Sequence, residues 1–164
     1  MNNELLVKMV TDSWRKQLIA TNKIFDSLSD EELMQEVAPG RNRGIYLLGH
    51  LTAVHDRMLP LLGFEESKYP DLKAVFLDSP DKAVDGIPSA SELRQQWHDV
   101  NETLSNHIKS LPADDWFTRH ANISEEDFVK EPHRNRLNVL LDRTIHLSNH
   151  RGQLLLLKKG ISRH

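Results

Sequence analysis

A chain of 164 residues is sized for one domain, and a folded monomer of that length buries roughly two-thirds of the surface its unfolded form would expose. Its 21 basic and 24 acidic residues are intermixed and leave a formal charge of −3, which gives no electrostatic footprint for nucleic acid or an anionic membrane. There is no cysteine, so disulfides and thiolate metal sites are excluded, and any sulfur nucleophile must come from a substrate or cofactor.

The N-terminal Met-Asn-Asn-Glu-Leu-Leu-Val-Lys lacks the basic-then-apolar pattern of a secretion signal, and no window reaches the ~18 apolar residues of a membrane span. A single cytoplasmic domain over residues 1–164 is expected. Apolar residues recur at three-and-four spacing in four segments. The first runs from about Leu5 to Leu28, with Leu6, Val10, Trp14 and Leu18 on one stripe, and the second from about Ile45 to Leu62, with Leu47, Leu51, Val54 and Met58. The third opens on the capping box Ser89-Ala-Ser-Glu92, carries Leu93, Trp97, Val100, Leu104, Ile108 and Leu111, and stops at Pro112. The fourth runs from about Leu137 to Lys159, with Gly160 as its expected left-handed cap. Residues 63–88 read as a long connection holding one short helix, and nothing reads as a strand. The expectation is an all-α four-helix bundle with a long crossover between helices two and three.

The chain also resembles itself. Asp26-Ser-Leu-Ser-Asp-Glu-Glu-Leu33 matches Lys109-Ser-Leu-Pro-Ala-Asp-Asp-Trp116, and Pro39-Gly-Arg-Asn-Arg43 matches Pro132-His-Arg-Asn-Arg136, which implies two helix-linker-helix halves. Each repeat asparagine, Asn42 and Asn135, is expected to cap the helix after it.

His146 and His150 stand four apart in the fourth segment, so on a helix both imidazoles leave one face and can converge on one ion. The positions Val139, Arg143, His146, His150, Gln153 and Leu157 step by four and three, the spacing of a seam facing the bundle axis. Polar groups in such a seam need partners, since each one buried alone costs on the order of 1–3 kcal/mol. A bound ion would satisfy the imidazoles. Periodicity leaves both His50 and His55 open as the third ligand; alignment through Pro-x-Arg-Asn-Arg places His50 on the seam position of Arg143 and His55 on Ser148, which selects His50. Three imidazoles leave a coordination position open for water or substrate.

Gly49-His50-Leu51 after Pro39-Gly-Arg-Asn-Arg43, followed far downstream by His146-x-x-x-His150-Arg-Gly-Gln153, resembles the DinB/YfiT-like family of helical-bundle metal enzymes. The resemblance implies a four-helix bundle, frequent homodimers and a divalent ion held by His50, His146 and His150. Relatives of this kind include transferases that use low-molecular-weight thiols such as bacillithiol or mycothiol, a mycothiol-dependent isomerase and proteins described only as metal-dependent hydrolases. The leading expectation is a metal-dependent thiol S-transferase, with the ion (zinc, nickel, iron or manganese) as Lewis acid and Arg143, Gln153 or Arg151 orienting a small electrophile. A hydrolase using the same site, and a non-catalytic dimeric stress or interaction bundle, are the alternatives.

Of the remaining histidines, His55, His98 and His107 are expected on helix surfaces or flanks, His120 and His133 near the mouth of the site, and His164 at the terminus. Trp14, Trp97 and Trp116 read as packing residues. Leu137, Leu140, Leu141, Ile145, Leu147, Leu154, Leu155 and Leu156 lie almost all round the fourth helix, which suits a helix that is either central or shared with a second copy in a homodimer.

Overall fold

The computed structural model describes residues 2–157, and among these seven α-helices and one 3-10 turn form the fold. They are α1 (Asn3–Ser27), α2 (Asp30–Leu33), α3 (Gly44–Leu61), α4 (Leu72–Phe76), α5 (Ala90–Ser110), the 3-10 turn Ala113–Phe117, α6 (Glu125–Lys130) and α7 (Arg136–Leu154). The protein is all-α. None of these helices is long and apolar enough to cross a membrane. The four long helices coincide with the four periodic segments, and α4 is the short helix expected in the connection.

Local chemistry explains where the helices begin. Asn2 accepts from the N–H of Leu5 and Asn135 from that of Asn138, while Ser29 with Glu32 and Ser89 with Glu92 make complete capping boxes. α3 differs, because its N-cap is Arg43 rather than Asn42 and no side chain of its own caps it. The acid comes instead from the long connection, where Asp81 accepts from the Arg43 N–H at 2.8 Å and from Nη2 at 2.7 Å. At the other end of α3, Gly63 at φ +71 closes a Schellman motif, with Phe64 N–H on Leu59 O and Gly63 N–H on Pro60 O.

α1 packs along α7, and α3 along α5. Trp14, Trp97 and Trp116 are buried with Phe25, Leu47, Leu51, Met58 and Leu104. The buried carboxylate of Asp56 accepts from the N–H groups of Lys68 (2.7 Å) and Tyr69 (2.9 Å), which ties residues 63–88 back onto α3. Together with Arg43–Asp81, this fixes both ends of the segment that carries α4.

Four expectations are corrected. His55 is not on a surface: it is fully buried between Trp14 and Trp97, at ring separations of 4.8 and 4.9 Å, with Nδ1 2.7 Å from Asn101 Oδ1. Asn42 caps nothing; its carbonyl accepts from Val37 N–H in the turn before α3. The deepest stripe of α7 is Leu137, Leu140, Thr144, Leu147 and Leu154, so Arg143, His146, His150 and Gln153 stand beside it, half-buried on the rim. α7 itself ends at Leu154, and the cap expected at Gly160 lies outside the described residues, as does His164.

The two repeats do fold alike, one residue out of the register in which the motifs align. Leu33 and Trp116 are both fully buried in a short helical turn after a long helix. Within α3 and α7, Ile45 pairs with Leu137 and Leu48 with Leu140 in burial, and Thr52 and Thr144 each donate to the carbonyl four residues back at 2.7 Å. α7 starts one residue earlier relative to its motif because Asn135 can cap it. In this register His50 matches Asp142, not Arg143, and His55 matches Leu147, not Ser148.

Candidate metal centre

α3 and α7 bring three imidazoles together at the half-buried rim. His146 Nε2 stands 3.2 Å from His50 Nε2 and 3.1 Å from His150 Nε2. All three ligand atoms lie within 4.8 Å of one another. His146 and His150 meet because they are one helical turn apart; His50 arrives from 96 residues away.

The outer ring nitrogens determine what the inner ones can offer. His50 Nδ1 lies 3.0 Å from the carbonyl oxygen of Phe76, which can only accept, so Nδ1 carries the proton and Nε2 presents a lone pair. His150 Nδ1 likewise donates to Gln153 Oε1 at 3.0 Å. His146 Nδ1 is buried without a partner among the described residues. Its one proton can therefore sit on Nε2 and serve one neighbour, which leaves the lone pair of the other without a proton to accept. A cation resolves this conflict, whereas no arrangement of protons on neutral rings does. Ligands about 2.0–2.1 Å from a tetrahedral zinc ion stand roughly 3.3 Å apart, close to the two spacings here. The three residues can hold a divalent metal ion.

Burial, followed by the charges of His150, His50 and Arg143, draws the His146 pKa down to about 4. Burial also lowers that of His50, against the hydrogen bond to Phe76, with smaller contributions from His150 and Arg143. Both rings are thus neutral at pH 7, the form that coordinates metal.

The support of His50 was not visible as a motif. A Cβ on Gly49 would fall 2.3–2.5 Å from ring carbons of Phe76, so only glycine lets this ring close on α3 and bring its carbonyl to His50. Tyr46 donates to Ser79 O at 2.8 Å and to Phe76 O at 3.3 Å, and its ring lies near-parallel to His50 at 6.2 Å. The signal available in the sequence was Gly49 itself, since a glycine inside a helix costs about 1 kcal/mol relative to alanine and signals a close approach.

Of the other candidate residues, Gln153 is in contact with the triad through His150. Arg143 and Arg151 are half-buried and each has a buried Nε with no acceptor among the described residues. His98 and His107 lie at the flanks, 3.4 Å from Asp26 and 3.1 Å from Glu65. His120 lines a separate cleft, and His133 is exposed.

With this geometry in place, comparison with known families is informative. The family model of the DinB superfamily matches residues 14–154, which takes in all three histidines, the whole of α3, α5 and α7, and α1 from Trp14 onward. The chain belongs to the DinB superfamily. Domains of this superfamily often bind metal, in keeping with the converging imidazoles. No curated protein matches the chain closely enough to add to this DinB assignment.

Proposed function

We propose that this DinB-superfamily protein is a divalent-metal-dependent enzyme that transfers a low-molecular-weight thiol to a small electrophile, with His50, His146 and His150 as the metal ligands. The observation that carries the reading is the set of three Nε2 atoms, two of which have their outer nitrogens committed as donors. When bound, the ion would supply Lewis-acid chemistry, lowering the pKa of a thiol or water toward neutrality. The protein's part is to hold the ligands: Phe76 O fixes His50, Gln153 Oε1 fixes His150, and the half-buried rim leaves the open side accessible to a small molecule.

Thiol transfer is placed ahead of hydrolysis for a specific reason. Hydrolysis of an ester or amide calls for a proton donor to the leaving group besides an activated water, and among the described residues no carboxyl group hydrogen-bonds to the three imidazoles. A thiolate that displaces a weakly basic leaving group, such as a halide, needs no such donor. Arg143, Gln153 and Arg151 are the proposed orienting residues on the same helix. The reading also takes the four long helices as a bundle, residues 63–88 as its crossover, the protein as cytoplasmic, and the apolar Leu141 and Ile145 on the outer face of α7 as the seat of a homodimer.

The test is elemental analysis of untagged protein, followed by conjugation of an electrophile by a panel of small thiols with and without the metal found. Near-stoichiometric zinc, nickel, iron or manganese, with thiol-dependent turnover lost in His146→Ala, is expected. Metal-free native protein would overturn the reading. Ester turnover without any thiol would replace it with a hydrolase, and metal without any turnover with a non-catalytic bundle.

A further inference from the structure

A second group of cations gathers around residues 118–121, with Arg143 as its member nearest the triad. This segment is pinned from both sides: Ala121 N–H donates to Leu61 O at the end of α3 (3.0 Å), and Arg136 N–H at the start of α7 donates to Thr118 O (3.1 Å). His120 on this segment is the common wall of two cavities. One, of about 490 Å³, is lined by Gly63, Thr118, Arg119, Ala121 and Arg136 besides His120. The other, of about 270 Å³, includes Arg134, Asn138 and Arg143, with the exposed Asp142 as its only acid.

Arg119 and Arg134 are answered by Glu125 and Glu131, but His120, Arg136 and Arg143 each have a donor without an acceptor. The N–H of Asn122 donates to His120 Nδ1 at 3.2 Å, which leaves the ring proton on Nε2 as a free donor. Burial, and then Arg134, lowers the His120 pKa, so this donor is neutral at pH 7. Arg136 and Arg143 have no acidic partner among the described residues, and the Nε of each is buried without an acceptor. Gly63 makes room for Arg136, since a Cβ there would stand 3.0 Å from its Nη2.

The chain contains its own contrast. At the start of α3, Arg43, the last residue of the first Pro-x-Arg-Asn-Arg, holds the Asp81 carboxylate by its N–H, Nε and Nη2 at 2.7–3.2 Å. Arg136 ends the second copy of that motif, one residue further into its helix, and among the described residues no carboxylate answers it. A cation in the first turn of a helix also opposes the macrodipole, so an anion is favoured there on two counts.

We propose that the pair of cavities adjoining His120 is an oxyanion site for a small molecule bearing carboxylate or phosphate, with Arg136 and Arg143 as its charged contacts and His120 Nε2–H as its neutral donor. Arg136 and Arg143 are seven residues apart on α7, about 10 Å along the axis, which favours an extended ligand with two anionic groups. The site does not depend on an ion at the triad.

Titration calorimetry at pH 7 in low chloride, with succinate and separately with inorganic phosphate, tests this on both as-purified and chelator-treated protein. One saturable site per chain is expected, weakened at least tenfold in Arg136→Gln and in Arg143→Gln and unchanged in Arg15→Gln, an exposed control on α1. Succinate binding alone assigns a carboxylate ligand and phosphate binding alone a phosphate-bearing one. If Arg136→Gln fails to fold by circular dichroism, Arg143→Gln and His120→Phe carry the test. Absence of saturable binding by either anion, equal affinity in the arginine variants, or binding that disappears with the metal would overturn the proposal; the last would place the anion on the ion instead.

Discussion

Gly49 and Phe76 are in such close contact that no side chain fits between them: any Cβ on residue 49 would lie 2.3–2.5 Å from the phenylalanine ring. Gly49→Ala is expected to push Phe76 and its carbonyl away from His50 Nδ1. Overpacking of this kind costs roughly 1–3 kcal/mol, and loss of an outer-nitrogen partner typically weakens metal binding about 10- to 100-fold. Thermal denaturation and metal titration of the variant measure the two effects separately; wild-type values in both would show that the contact does not hold the ligand.

Gln153→Leu removes the acceptor of the His150 Nδ1 proton with little change in volume. Metal affinity is expected to fall about 10- to 100-fold with the fold intact, and Gln153→Glu, which restores a stronger acceptor, to recover it. Competition with a chromophoric chelator reads both.

Acid should destabilise the metal-free protein through its neutral histidines. Burial draws His55 down to about 3 and His146 to about 4, both below the ordinary 6.5 of the unfolded chain, so between these values the unfolded state binds more protons. Stability from these groups is complete above about pH 6.5 and is lost progressively as pH falls from there, down to about 4 for His146 and about 3 for His55. Urea denaturation midpoints from pH 7.5 to 4 should therefore decline, and His55→Phe should decline less steeply, since it keeps an aromatic ring between Trp14 and Trp97 but has no proton to bind.

Arg43 and Asp81 form a largely buried pair, with side chains 17% and 7% exposed. Burial raises the Asp81 carboxyl pKa, but the hydrogen bonds and charge of Arg43 outweigh it and hold the group ionised below its ordinary value. Asp81→Asn leaves Arg43 without its counter-charge and is expected to cost roughly 2–4 kcal/mol. Faster proteolysis within residues 77–88, together with a lowered melting temperature, would register the release of the connection.

Leu141 and Ile145 are 43% and 62% exposed on the outer face of α7. If this face joins two copies, Ile145→Glu should give a monomer in sedimentation velocity at micromolar concentration while retaining helical content. A wild-type monomer at the same concentration removes the dimer.

The long helices were legible because periodicity and capping residues report the same boundaries; Ser89 with Glu92 is the clearest case. The histidine pair was legible for the same reason, its spacing being that of one turn. His50 was reached by an alignment that proves one residue out of register, because the start of α7 is set by an asparagine cap that α3 lacks. The same slip hid His55: in the structural register it falls on Leu147, a core position. The placing of the polar residues on the rim of α7 depends on how α1 packs against it, a tertiary relation that residue spacing does not encode. Phe76 was invisible for a different reason, since it acts through a backbone carbonyl, which every residue has.

The histidine triad is divided unequally along the polypeptide, with one imidazole before residues 63–88 and two after them. Neither portion holds a full set of donors. Severing the backbone within that stretch would leave every imidazole chemically intact, yet affinity for an ion would then hinge on whether the two fragments find each other again, so reassembly of the split protein and any uptake of metal should follow one and the same concentration dependence.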